Sequence, residues 1–286
     1  MAEHFVQPPH WEWYIVSYFF LAGLAGGSYT LATMLRLWGS PRDEGTARMA
    51  FLVAFPLVVV CGIFLTIDLG QPLRFWHMLI NTTPGVGGVN FKYWSPISIG
   101  SWALLIFGVF SFVSFLETLG YLRPIGRVNE IIGSIVALFL ASYTGVVLSV
   151  SNQPVWSDSY AIGGLFVASA LSASAALLSW LSTYRSDAAS AEPTEQRLET
   201  ADGYFVVLEL LMIAAFFMTL STAGTIGRML SGPWLILWIL VLVSLIPPLL
   251  SLAGRRTTAL SGIGSAVVVL VGVFLLRFVV IFGAQF

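Results

Sequence analysis

Three ionisable side chains stand where an otherwise apolar chain can least accommodate them. Asp68 closes one long apolar run, Glu209 lies near the start of another, and Arg277 lies near the end of the last. A charge inside a bilayer is costly unless paired or wetted, so each is a candidate for chemistry. Each also has a plainer reading. Asp68 can simply open the turn Asp68-Leu69-Gly70-Gln71-Pro72. Arg277 can snorkel to an interface or pair with Asp68. Glu209, roughly 8 Å into its run at 1.5 Å per residue, can tie its helix to a neighbour by a hydrogen bond. Two tyrosines add polar ends to apolar runs: Tyr18 in the first, and Tyr143 in the fourth, within Tyr143-Thr144-Gly145-Val146-Val147-Leu148-Ser149. A buried hydroxyl needs a partner, and Gly145 leaves room beside Tyr143 for a flat ring. Core packing with a bound water serves the same spacing. His77, just past the second run, carries an imidazole, a side chain suited to proton exchange.

The absences narrow the chemistry. Cys61 is the one cysteine, so this chain alone cannot hold an iron–sulfur cluster. The histidines are His4, His10 and His77, none of them mid-span, so no pair can grip a haem between helices. No glycine-rich phosphate loop follows a strand. Redox chemistry here would need a mobile cofactor or a partner's.

The elements that position these residues follow from composition. Charged residues make up 9% of the chain and hydrophobic ones 57%, against about 25% charged in soluble domains. A span needs roughly 20 apolar residues, and eight windows qualify, at about 13–37, 48–68, 96–116, 131–151, 161–181, 204–222, 233–252 and 262–283. The reading is an all-α integral membrane protein forming a single membrane domain over 1–286, its eight helices arranged as two four-helix bundles. Residues 1–10 hold no Lys or Arg and precede no small-residue cleavage site, so the first span is expected to stay rather than be removed as a signal. The stretch Thr183–Gly203, polar and Ala/Ser-rich, reads as a flexible loop.

Arg36, Arg42, Arg48, Arg123, Arg127, Arg185, Arg197, Arg255 and Arg256 fall on one side of these spans, and Arg74, Lys92 and Arg228 on the other. The positive-inside rule places the first set in the cytoplasm and both termini outside, in the periplasm of an inner (cytoplasmic) membrane. Gly23 and Gly27, four apart in the first span, allow close helix approach. Pro56 should kink the second span, and Pro247-Pro248 should break or kink the seventh.

Five runs in order carry a family resemblance: Tyr18 to Gly27 in the first span; Asp68-Leu69-Gly70-Gln71-Pro72-Leu73-Arg74-Phe75 after the second; Ser95-Pro96-Ile97-Ser98 with Gly100-Ser101-Trp102 at the third; Tyr143 to Leu148 and Pro154-Val155-Trp156 around the fourth; and Leu276-Arg277-Phe278-Val279-Val280 with Gly283 at the eighth. Together they resemble the NrfD family, the membrane subunit of polysulfide reductase and related respiratory complexes, over nearly all eight spans. The resemblance implies a non-metal, quinone-reactive subunit of an oxidoreductase, exchanging electrons between menaquinone or ubiquinone and an outer-face ferredoxin-like iron–sulfur subunit. That partner would serve a molybdopterin or other redox subunit carrying the substrate site. Proton transfer would accompany turnover, and no nucleic acid is expected as a partner.

By the same resemblance Tyr143 matches the tyrosine that contacts the quinone head group. Tyr18 stands where some relatives carry a histidine, a departure that matters because tyrosine is a poor proton acceptor near neutral pH. Asp68, His77 and Arg277 then gather with the tyrosines near the outer face, with Asp68 the nearest proton-handling candidate and Glu209 a proton carrier from the cytoplasmic half. Two other readings are a secondary transporter or ion channel, for which these ionisable groups sit nearer the helix ends than expected, and a passive anchor without a quinone site.

Overall fold

The computed structural model describes residues 10–85, 87–123, 126–183, 188–254 and 263–285. Each apolar run folds as a helix, because a backbone in hydrocarbon must satisfy its hydrogen bonds internally. The helices are α1 (Trp13–Trp38), α2 (Glu44–Asp68), α3 (Pro96–Leu119), α4 (Arg127–Ser149), α5 (Ile162–Ser182), α6 (Ala188–Ala223), α7 (Ile226–Met229), α8 (Gly232–Ser244), α9 (Ile246–Leu252) and α10 (Ile263–Phe282). Among the described residues eight helical stretches are long and apolar enough to span a membrane, α8 and α9 together forming one of them. The chain alternates between two ends of the bundle, called here the Trp11 end and the Arg36 end.

α1 packs on α2, α4 and α5; α3 bridges α2 and α4; α5 packs on α6 and α10; α9 lies on α6 and α8 on α10. α1 and α5 therefore run through the middle, and their centres are buried on most sides. Glycine permits the closeness. A Cβ on Gly27 would stand 2.6 Å from the Ala170 carbonyl oxygen of α5, and one on Gly26 would stand 2.8 Å from that of Ala137 in α4. The expected glycine contact of the first span is thus a packing surface on two helices.

Local chemistry sets the helix ends. Ser95 caps α3 by accepting from the Ser98 amide at 3.4 Å, with Pro96 in the first turn. Gly120, at φ 83°, closes its other end. The α1–α2 turn is pinned by a capping box between Ser40 and Asp43.

Two expectations change. Thr183–Gly203 is helical from Ala188, not a flexible loop. Its first turns are held where Asp43, 1% exposed, accepts from the Thr194 hydroxyl (2.6 Å) and from Arg197 (2.7 Å). Hydropathy registers lipid-facing length only, so it misses helical turns that dock on a neighbouring turn. Pro56 is carried inside a continuous α2, whereas Pro247-Pro248 do divide the seventh span, at Leu245 between α8 and α9.

Candidate functional site

α1, α2, α3 and α4 enclose a cleft of about 830 Å³ at the Trp11 end. Its walls are almost wholly apolar, and its polar groups gather at one end: Tyr18 from α1, Thr66 and Asp68 from α2, Ser101 from α3 and Tyr143 from α4. A lid covers that end. It is built from a 3-10 turn, Pro72–Met78, and a short antiparallel hairpin pairing Ile80 with Val89. Asn90 fastens the lid to α3. Its amide donates to the Leu79 carbonyl (2.8 Å), and its carbonyl accepts from Trp102 Nε1 (3.1 Å). Phe75, Met78 and Leu79 of the lid face the cleft.

Tyr143 sits deep in the cleft wall. Its hydroxyl donates to the Pro96 carbonyl at 2.6 Å, and its ring edge lies against Gly100, where no Cβ would fit. The space beside this ring comes from Gly100, not Gly145. Gly145 instead faces α5, where a Cβ would stand 2.6 Å from the Ile162 carbonyl oxygen. Two helical residues apart is nearly the opposite face, which explains the difference.

Tyr18 is 4% exposed and its hydroxyl makes no hydrogen bond among the described residues, while Cys61 Sγ lies 3.8 Å from its carbonyl oxygen. Asp68 is the last residue of α2. A carboxylate there opposes the helix dipole, and no cation pairs with it among the described residues. Its side chain is thus left open to the cleft.

The other expected residues lie elsewhere. His77 stacks on Trp76 (3.8 Å between centroids), with Nδ1 3.3 Å from the Arg74 carbonyl oxygen, beside the cleft but outside its lining. Arg277 neither snorkels nor pairs with Asp68. Fully buried among α1, α5 and α10, it donates to the carbonyls of Phe19 (3.2 Å), Phe166 (3.2 Å) and Val273 (3.2 Å) and to Ser169 Oγ (3.1 Å). Its guanidinium also lies 5.0 Å over the Phe166 ring. Gly23 makes room for it, since a Cβ would stand 2.7 Å from Nη2.

Glu209 is also fully buried, and neither carboxyl oxygen finds a hydrogen-bond partner among the described residues. Asp202 was not singled out from the sequence. It lies two turns from Glu209 on α6 and accepts from Ser172 Oγ at 2.6 Å, halfway along α5. Asp202 thus reaches the middle of the bundle, while Arg277 stays toward the Trp11 end, against Phe19 and Phe166. The seven-residue spacing was the available signal.

The comparisons agree with this architecture. A family model described as "Polysulphide reductase, NrfD" matches residues 3–286. The chain belongs to the NrfD family. It is 26% identical to a subunit of the selenate reductase of Mesobacillus selenatarsenatis, over 96% of this chain and 74% of that one. To protein NrfD of Escherichia coli it is 25% identical over 96% and 95% of the two chains. To one polypeptide of the polysulfide reductase of Wolinella succinogenes it is 31% identical over 57% and 55%. As a member of this NrfD family, the chain is an all-α, multi-pass protein of the cytoplasmic membrane.

Proposed function

We infer that this chain is the quinone-reactive membrane subunit of a respiratory reductase complex, and that quinone exchanges electrons with an iron–sulfur partner docked at the Trp11 end. The cleft carries this reading: a large apolar cavity between helices with a few polar groups converging at one end is the form of a site for an amphiphilic ring. The selenate and polysulfide reductase relatives are named as subunits of reductases, which supports the same assignment.

Interconverting quinone and quinol moves two electrons and two protons. The electrons pass to or from the partner. The chain's own residues bind the ring and handle protons. Tyr143 offers its hydroxyl to a ring oxygen by turning from the Pro96 carbonyl, and Tyr18 presents a second donor. Asp68, at the cleft mouth, exchanges a proton with the ring oxygen directly or through water. His77, within the 3-10 turn of the lid, passes that proton to solvent.

The lid and neighbouring turns form the docking platform. Leu73, Trp94 and Tyr160 are exposed there by 90%, 67% and 89%, in keeping with aromatic and apolar anchors of an interface. Trp156 is not one of them: it is fully buried, and its Nε1 donates to the Val280 carbonyl at 2.7 Å. We assign the Trp11 end to the periplasm because Arg36, Arg42, Arg48, Arg123, Arg127 and Arg197 all belong to the other end; Arg185, Arg255 and Arg256 lie outside the described residues.

Glu209, Asp202 and Arg277 support a proton-relay role in the α5–α6–α10 half, because ionisable groups buried in a membrane span, and above all the Glu209 carboxyl without a hydrogen-bond partner among the described residues, suit that task. The test of the main reading is Asp68→Asn in the assembled complex, for which quinone turnover should fall about a hundredfold, the usual contribution of a general acid–base group. Wild-type turnover in a folded Asp68→Asn complex would overturn Asp68's role.

A further inference from the structure

Gly62, in the last third of α2, and Gly108, in the middle of α3, are explained by neither packing nor backbone conformation. A glycine inside a helix is less stable than alanine and usually persists because a neighbour leaves no room for a methyl group. That holds for Gly26, Gly27, Gly133 and Gly145. It does not hold here. A Cβ on Gly62 would meet nothing within 4 Å, and one on Gly108 would meet only Val58 Cγ1, at an ordinary 3.6 Å.

Both glycines line the cleft, on the two helices that face each other across it. Gly108 lies below its polar end, and Gly62 is level with Tyr18, because the neighbouring Cys61 Sγ lies 3.8 Å from the Tyr18 carbonyl oxygen. Gly62 is six residues from Asp68, about 9 Å along α2, and Gly108 is eight residues from Gly100, about 12 Å along α3. Beneath them the groove is shut where the Phe55 ring meets Phe112 (5.0 Å) and Phe115 (5.2 Å). Val59, Ile63, Leu105 and Val109 are exposed along its rim, so the groove opens sideways between α2 and α3. In an apolar span that opening gives onto lipid.

We propose that Gly62 and Gly108 hold open a lateral groove for the isoprenoid chain of the quinone, with the head group at Tyr143 and Asp68 and the chain leaving between α2 and α3 into the bilayer. The proposal rests on the quinone reading above. The polar end fixes which way an amphiphile must lie, and the groove continues that end without a break. An acyl chain of a membrane phospholipid shares the same apolar chemistry, and the experiment separates the two.

The assembled complex in lipid nanodiscs would be assayed with a long-chain quinol and with a short-chain analogue of the same head group. Gly62 and Gly108 would each be replaced in the graded series Ala, Val, Leu. KM for the long-chain quinol should climb along the series, reaching about tenfold at leucine, the cost of excluding one or two methylenes from an apolar site. Over the Gly108 series the short-chain kinetics should stay within about twofold, since a half-buried groove position about 12 Å along α3 from Gly100 leaves the head-group contacts intact. The alanine variants should melt at or above the wild-type temperature, and the alanine and valine steps carry the comparison should a leucine variant fail to assemble. Equal responses of the two substrates would overturn the proposal, as would a long-chain KM indifferent to leucine, the result expected if a phospholipid chain fills the groove. Failure of the wild-type complex to turn over either quinol would instead remove the quinone reading itself.

Discussion

Tyr143 shows how one residue serves both fold and site. Its ring closes on Gly100, and its hydroxyl satisfies the Pro96 carbonyl in the first turn of α3. Tyr143→Phe should therefore cost about 1 kcal/mol of stability, the net worth of one hydrogen bond. Quinone turnover should fall about tenfold or more, because a donor to the reacting oxygen is lost; thermal melting and steady-state assay of the same preparation check both. Tyr18, Asp68 and Tyr143 were legible in the sequence because an isolated polar group in an apolar run declares itself. The direction in which Gly145 and Arg277 point was not, since hydropathy gives depth along a span but not the face a side chain takes. Arg277 ties the α1 carbonyl of Phe19, a cleft wall residue, to α5 and α10. Arg277→Met should lower stability by about 2–4 kcal/mol through lost charged hydrogen bonds, read as a lowered melting temperature. An unchanged melting temperature would show that the guanidinium does not tie these helices.

At the scale of elements, α1 and α5 are the shared supports of the molecule, and small residues set their spacing. Gly145→Ala should push α4 from α5 at Ile162 and cost about 1–3 kcal/mol, the usual effect of overpacking. Its quinone KM should stay unchanged, because the contact faces away from the cleft. Gly62→Ala is the counter-case, with space for the methyl group and no loss of stability. The eight spans were readable from apolar length, and the break at Pro247-Pro248 from proline chemistry. The extra turns of α6 were hidden because they are polar. What holds them is tertiary: the buried Asp43 with Thr194 and Arg197. Asp202 was missed for the same reason, lying just before the window at which the apolar run begins.

At the scale of the whole molecule, one half holds the apolar cleft and the other holds Asp202, Glu209 and Arg277. If the second half relays protons, Glu209→Gln should slow turnover and abolish any membrane potential generated by the complex in proteoliposomes, while quinone binding stays intact. Unchanged turnover and potential would leave Glu209 a structural group. Orientation is open to a direct check, because the native Cys61 is buried. Single cysteines at Thr83 or Tyr160 should react with a membrane-impermeant maleimide from the periplasmic side, whereas one at Arg42 should not.

The central claim is that the α1–α4 cleft binds quinone, and photolabelling tests it most directly. The assembled complex would be irradiated with an azidoquinone and digested, and the labelled peptides identified, with and without excess unlabelled quinol. The account predicts label on residues 55–69, 97–112 or 143–147 that quinol displaces. Displaceable label on α5, α6 or α10 instead, around Glu209 and Arg277, would contradict it.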